Sequence, residues 1–247
     1  MSQKRILIVE DESIVALDIK KRLENMGYFV TGMVTKGEDA FAKASETEPD
    51  LVLMDIKLAG EIDGIRTAEH MREFFSLPII FITAYSDDAT LARAKITQPF
   101  GYIVKPIRDQ DLHSNIEMSF YNHDMQLQLE ENEQWLSAIL NSIRDGVIAT
   151  NDQLHVRLMN PVAEILTGWN EKAAVGKPIN RVFNIINPED KQPVFNLIND
   201  IFTTGNAQKN YLLVSHNGSQ IPIWGKISVI KSGSGIVNGI VIVFDRI

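Results

Sequence analysis

Asp55 closes the apolar run Leu51-Val52-Leu53-Met54, and a carboxylate at the end of a buried strand is a candidate nucleophile or metal ligand. Three further polar signals close other apolar runs: Glu10-Asp11 after Ile6-Leu7-Ile8-Val9, Thr83 after Ile79-Ile80-Phe81-Ile82, and Lys105-Pro106 after Tyr102-Ile103-Val104. Three carboxylates, a hydroxyl and an ammonium gathered in one place suit phosphoryl transfer onto Asp55, assisted by a divalent cation. Carboxylate and phosphoryl donor are both anionic and repel one another, and a hard ion such as Mg2+, which takes oxygen ligands, relieves that repulsion. Asp11 and Asp55 are the expected direct ligands, with Glu10 bound directly or through water and the Lys57 carbonyl completing the set. Lys105 would pair first with the Asp55 carboxylate and then with a phosphoryl oxygen, while the Thr83 hydroxyl donates to another. Taken singly, each signal has a plain explanation, such as a turn aspartate or acids at a helix N-terminus. Four in order, each at a strand end, do not.

That chemistry requires a fold that brings four separated strand ends to one edge. Apolar runs alternate with amphipathic segments of helical length, the pattern of a parallel sheet covered on both faces. Strands are expected near 5–9, 29–34, 50–54, 79–82 and 101–104, and helices near 12–26, 37–46, 63–74, 87–97 and 109–122. Ile14, Leu17 and Lys21 are expected to start one face of the first helix, which Gly27 stops. Open sheets of this kind keep their chemistry at the C-terminal ends of the strands.

Residues 1–123 resemble the receiver domain of two-component response regulators, through Glu10-Asp11, Asp55, Asp63-Gly64, Thr83-Ala84 and Tyr102-Ile103-Val104-Lys105-Pro106. The resemblance implies a flavodoxin-like, doubly wound domain that is phosphorylated on Asp55 by a sensor histidine kinase or phosphotransfer protein, with Mg2+. It implies a phosphoacceptor that assists its own phosphorylation and dephosphorylation. It also implies a switch in which Thr83 moves inward and Tyr102 reorients, altering the face between the fourth and fifth helices where output or dimer contacts form. The loop from Ile56 to Gly64 departs from the family. Many receivers carry proline where Ala59 stands and reach the Asp-Gly pair one residue sooner.

From about Leu112 to Leu140 nothing breaks a helical pattern, and residues 124–141 read as a helical connector. Leu129, Leu136 and Leu140 make a short a/d-like stripe, which suits either packing on the chain's own second half or pairing with a second copy. Beyond Gly146 the pattern turns to antiparallel strands near 146–150, 155–160, 208–215, 220–230 and 236–244, with helices near 161–168 and 190–203. Asn217-Gly218 signals a hairpin. Roughly residues 130–247 resemble a PAS sensor domain, taken as 142–247 after the connector, an α+β fold with a five-stranded antiparallel sheet. The stretches concerned are Leu140-Asn141-Ser142-Ile143-Arg144-Asp145-Gly146-Val147, Met159-Asn160-Pro161-Val162-Ala163, Thr167-Gly168-Trp169, Val175-Gly176-Lys177-Pro178 and Ile242-Val243-Phe244-Asp245. The flavin-adduct variety of such domains needs a cysteine, and the chain has none. The common haem-binding variety uses a histidine on the helix that falls here at 190–203, where there is none. These exclusions name no ligand for this half.

Composition limits the partners. Residues 1–135 hold 24 acidic against 14 Lys or Arg side chains, net −10, and the remainder 8 against 10. Neither half offers the basic surface that nucleic acid needs. There is no apolar run of about 18 residues to span a membrane and no leader pattern, so a cytoplasmic protein is expected. The reading is a phosphorelay response regulator that passes a signal from Asp55 through the connector to the PAS-like domain, the expected partners being the kinase and a second copy of the chain. Dimerisation is expected through the face between the fourth and fifth helices, or through the connector helix and PAS domain. One rival makes the PAS domain the primary ligand sensor or dimerisation module, with the receiver as regulatory scaffold. Another makes the chain an aspartyl-phosphate phosphatase, which needs an acid–base carboxylate two residues past the nucleophile, where Lys57 stands. The chain ends just after its last strand, which suits either a piece of a longer protein or action through protein contacts.

Overall fold

The computed structural model describes residues 3–84, 93, 97, 99–189, 191–192 and 206–247. It divides into two compact units, Met1–Glu131 and Asn132–Ile247. In the first, β1 (Arg5–Val9), β2 (Phe29–Val34), β3 (Leu51–Asp55), β4 (Ile79–Ala84) and β5 (Gly101–Lys105) form one parallel sheet in the order β2-β1-β3-β4-β5. Alternation along the strands sorts side chains to two faces. Ile6, Ile8, Leu51, Leu53, Ile80 and Ile82 pack against α1 (Ser13–Asn25) and the start of a long helix, α4 (Asp109–Ser142). Leu7, Val9, Val52, Met54, Ile79 and Phe81 pack with α2 (Gly37–Thr47) and α3 (Gly64–Phe74). Burial on both faces explains why these strands read as unbroken apolar runs. The expected helix at 87–97 lies outside the described residues, apart from Arg93 and Thr97.

One helix face differs from expectation. Ile14 is 84% and Leu17 56% exposed, while Ala16, Ile19 and Leu23 are buried. Both sets have spacings of three and four residues, so periodicity alone did not choose between them. The small Ala16 side chain allows the helix to lie close to the sheet. The stop at Gly27 holds, with φ of 90°, a conformation that favours glycine.

The second unit contains six strands rather than five. β6 (Gly146–Thr150), β7 (Val156–Met159), β8 (Asn184–Ile186), β9 (Asn206–Val214), β10 (Gln220–Lys231) and β11 (Val237–Arg246) form an antiparallel sheet in the order β7-β6-β11-β10-β9-β8. The unexpected strand is β8. Its three residues are too few to show alternation, and its place is set by pairing with Leu212–Val214. Helices α5 (Pro161–Thr167), α6 (Glu171–Ala174) and α7 (Ile179–Val182) contribute Ala163, Leu166, Ala174, Ile179 and Val182 to a core that also holds Ile223, Ile242 and Phe244. The expected helix at 190–203 lies outside the described residues, apart from Lys191 and Gln192.

Asn160 joins several of these elements. Its buried amide accepts from the backbone N–H of Val147 (2.8 Å) and Ala163 (3.0 Å), and donates to the carbonyls of Leu140 (3.2 Å) and Asp145 (2.8 Å). It thus caps α5 while tying the last turns of α4 and the first residues of β6 to one side chain. No helix among the described residues is long and apolar enough to cross a membrane.

Candidate functional site

Parallel pairing brings the expected residues to one edge of the first sheet. Asp55 pairs with Ile82, and Ala84 with Lys105, so Asp55 and Lys105 end their strands and Thr83 stands one residue before the end of the strand between them, beside the Glu10 that follows β1. Glu10, Asp55 and Thr83 are buried and Asp11 is half-buried. One carboxylate oxygen from each of Glu10, Asp11 and Asp55 lies within 4.8 Å of the other two.

The Lys105 ammonium joins this cluster, donating to Asp55 Oδ2 at 2.6 Å and to Glu10 Oε1 at 2.9 Å. Glu12, exposed immediately before α1, stands 3.7 Å from the same nitrogen. The other Asp55 oxygen accepts the Lys57 backbone N–H at 2.9 Å, which places the Lys57 main chain beside the cluster. Thr83 donates to the carbonyl of Ala84 at 3.3 Å. Tyr102 lies apart from the carboxylates, on the core side of β5. Its ring packs against Phe81 at 6.0 Å, and its buried hydroxyl finds no hydrogen-bond partner among the described residues. Burial raises the pKa of that hydroxyl.

Electrostatics set the cluster's character. Burial pushes the Glu10 carboxyl up to about 7; Lys105 opposes this and the Asp55 charge adds to it. Burial would lower the Lys105 ammonium, but hydrogen bonds to Asp55 and Glu10 outweigh it and the net shift is upward. Both Glu10 oxygens stand 2.9 Å from Lys105 Nζ, yet only Oε1 is placed to accept. Oε2 is buried and accepts no hydrogen bond among the described residues. A buried oxygen that takes no hydrogen bond, within a set of hard carboxylate donors, fits a small divalent cation.

The loop from β3 to α3 is held at several points. Ile56 N–H donates to Ile82 O at 3.1 Å, and Gly64 N–H to Ile56 O at 3.0 Å. Asp63 caps α3 by accepting from Arg66 N–H at 2.9 Å and pairs with Arg93 at 2.7 Å. Burial works against the Asp63 charge, but those partners prevail and hold its pKa below the ordinary value. Gly64 is required by proximity, since a Cβ there would stand 1.8 Å from the Asp55 carbonyl oxygen. The Asp-Gly pair was visible in the sequence, whereas this contact was not.

In the second unit His155 forms a bridge with Pro178, and His216 packs on Trp169 at 4.4 Å.

Comparison with known proteins separates the same two regions. The family model of the response regulator receiver domain matches residues 6–117, and that of the PAS fold matches residues 135–247. The transcriptional regulatory protein PdtaR of Mycobacterium tuberculosis is 34% identical over 116 residues, covering 47% of this chain and 56% of that protein. The chain thus spans about half the length of that curated relative. The signal receiver domain of a modulated diguanylate cyclase from Desulfovibrio desulfuricans G20 is 40% identical, covering 51% of this chain and 99% of that one, with a TM-score of 0.49. The N-terminal domain of a response regulator/sensory box/GGDEF protein from Carboxydothermus hydrogenoformans is 34% identical, covering 50% and 99%, with a TM-score of 0.47.

Proposed function

Because this chain is a response regulator receiver domain followed by a PAS fold, we propose that Asp55 accepts a phosphoryl group from a histidine kinase or phosphotransfer protein. The observation that carries this is the pairing of Asp55 with Lys105 at 2.6 Å inside a three-carboxylate cluster at the sheet edge. An Asp55 oxygen attacks phosphorus, the bond from phosphorus to the donor's imidazole nitrogen breaks, and the imidazole leaves with that electron pair. Lys105 first holds the carboxylate and then a phosphoryl oxygen, while Thr83 donates its hydroxyl to another. Glu10, Asp11, Asp55 and the Lys57 carbonyl would hold Mg2+, which supplies charge neutralisation between the two anions. Hydrolysis of the acyl phosphate returns Asp55 to its resting form.

In this reading residues 1–123 are the receiver, 124–141 the connector and 142–247 the sensor domain of a cytoplasmic signalling protein. Thr83 and Tyr102 are its switch. The continuous α4 helix, with Leu129, Trp135 and Leu136 exposed, supports a homodimer formed through the connector. Neither nucleic acid nor membrane is a partner of these residues.

The test supplies acetyl phosphate and Mg2+ to the full chain and reads intact mass. Beryllofluoride is then used while light scattering follows oligomeric state. Label and a change of assembly are expected in the wild type, and neither in Asp55→Ala. An unlabelled wild type, or label persisting in Asp55→Ala, refutes the assignment.

A further inference from the structure

We propose that Glu38 is a positioning residue that clamps the loop between Asp55 and α3, and so fixes the Lys57 oxygen donor at the metal site. This rests on reading the cluster as a Mg2+-dependent phosphoacceptor. Glu38 lies in the first turn of α2, far from the reacting carboxylates in sequence. Its Oε1 accepts two successive loop amides, Glu61 N–H at 2.6 Å and Ile62 N–H at 3.2 Å. Carboxylate acceptors make the stronger class of hydrogen bond to backbone N–H.

The loop also packs tightly onto that side chain. A Cβ at Gly60 would stand 2.8 Å from Glu38 Oε2, and one at Gly37 would stand 2.1 Å from Thr67 Oγ1 in α3 and 3.0 Å from Ile62. Two glycines therefore permit the approach of α2 to the loop and to α3. The loop from Ile56 to Asp63 contains Gly60 and no proline, so its own sequence does little to stiffen it. Its start is tied to the acceptor by Lys57 N–H on Asp55 Oδ1 and its end by the Asp63 cap. Glu38 holds the span between them from outside.

A glutamate in a first helical turn can also act merely as a charge favoured by the helix dipole. The two roles respond differently to substitution. Glu38→Gln keeps an acceptor oxygen and removes the charge, whereas Glu38→Ala removes both. Mg2+ affinity of the full chain is measured by titration calorimetry, alongside the Mg2+ dependence of labelling by acetyl phosphate. Glu38→Ala should weaken Mg2+ binding by about tenfold, the lower end of the range for outer partners of metal ligands, and Glu38→Gln, which keeps a neutral acceptor, by clearly less. Maximal labelling at saturating Mg2+ should be unchanged. Exchange of the Glu61 and Ile62 amides should quicken in Glu38→Ala. Wild-type affinity in Glu38→Ala, equal weakening in both variants, or unchanged exchange of those amides each overturns the clamp. A wild type that neither binds Mg2+ nor labels defeats the phosphoacceptor reading instead, and the amide exchange still decides whether Glu38 holds the loop.

Discussion

Replacing Glu10 with glutamine isolates the energetic consequence of burying an acid in the receiver cluster. Burial raises this carboxyl from 4.5 to about 7 in the folded chain. A group whose folded pKa lies above its unfolded value contributes its stability in full below pH 4.5 and loses it as pH climbs through about 7. At about 1.4 kcal/mol per unit, the whole shift corresponds to about 3 kcal/mol. Glutamine has nearly the same size and stays neutral throughout. In Mg2+-free buffer, Glu10→Gln should therefore gain on the wild type by about 2–3 kcal/mol between about pH 5 and about pH 8. All three tryptophans, Trp135, Trp169 and Trp224, lie in the other unit, so indole fluorescence does not report on the receiver. Hydrogen exchange of peptides covering β1 and β3, followed by mass spectrometry, does. Added Mg2+ favours the ionised carboxylate and should flatten the wild-type pH dependence. A stability difference that stays level from acid to alkaline pH would refute the reasoning.

Gly64→Ala should lower receiver stability by about 2–4 kcal/mol despite the better helix former, because the added methyl meets the Asp55 carbonyl. Unchanged protection of β3 would count against that contact. Asn160→Ala removes four hydrogen bonds around a buried amide. A loss of about 2–4 kcal/mol is expected in urea titrations followed by tryptophan emission, and a loss under about 1 kcal/mol contradicts it. On the first helix, Leu23→Ala should destabilise by about 2–5 kcal/mol. Leu17→Ala should change stability by no more than about 0.5 kcal/mol, and equal effects in the two variants would restore the face first read from the sequence.

The phosphoacceptor edge was legible because its signals are local. Each strand is an apolar run a few residues long, its final polar residue stands next to it, and a parallel sheet aligns the ends. What escaped depended on contacts between distant positions or on too little pattern. Leu17 and Ile19 are both apolar and belong to equally good helical stripes, so only packing on the sheet decided between them. β8 has three residues and owes its conformation to its neighbour. Glu38 meets amides 23 and 24 positions away, and no spacing within α2 points to that loop. Asn160 was visible as part of an Asn-Pro helix start, but the two carbonyls it reaches belong to earlier segments.

The amide of Asn160 also bears on how α4 can come apart. The last turn of any helix leaves carbonyls without partners. Here Leu140 is served by Asn160 and Ile139 by the Ser142 hydroxyl. Unwinding that turn would strand a donor inside the second core, so fraying at this end is coupled to loosening of the β7–α5 corner. Aspartate, nearly identical in outline, would set a negative oxygen against two carbonyls there. One side chain thus links the helix end to that corner, and conservative chemistry offers it few substitutes.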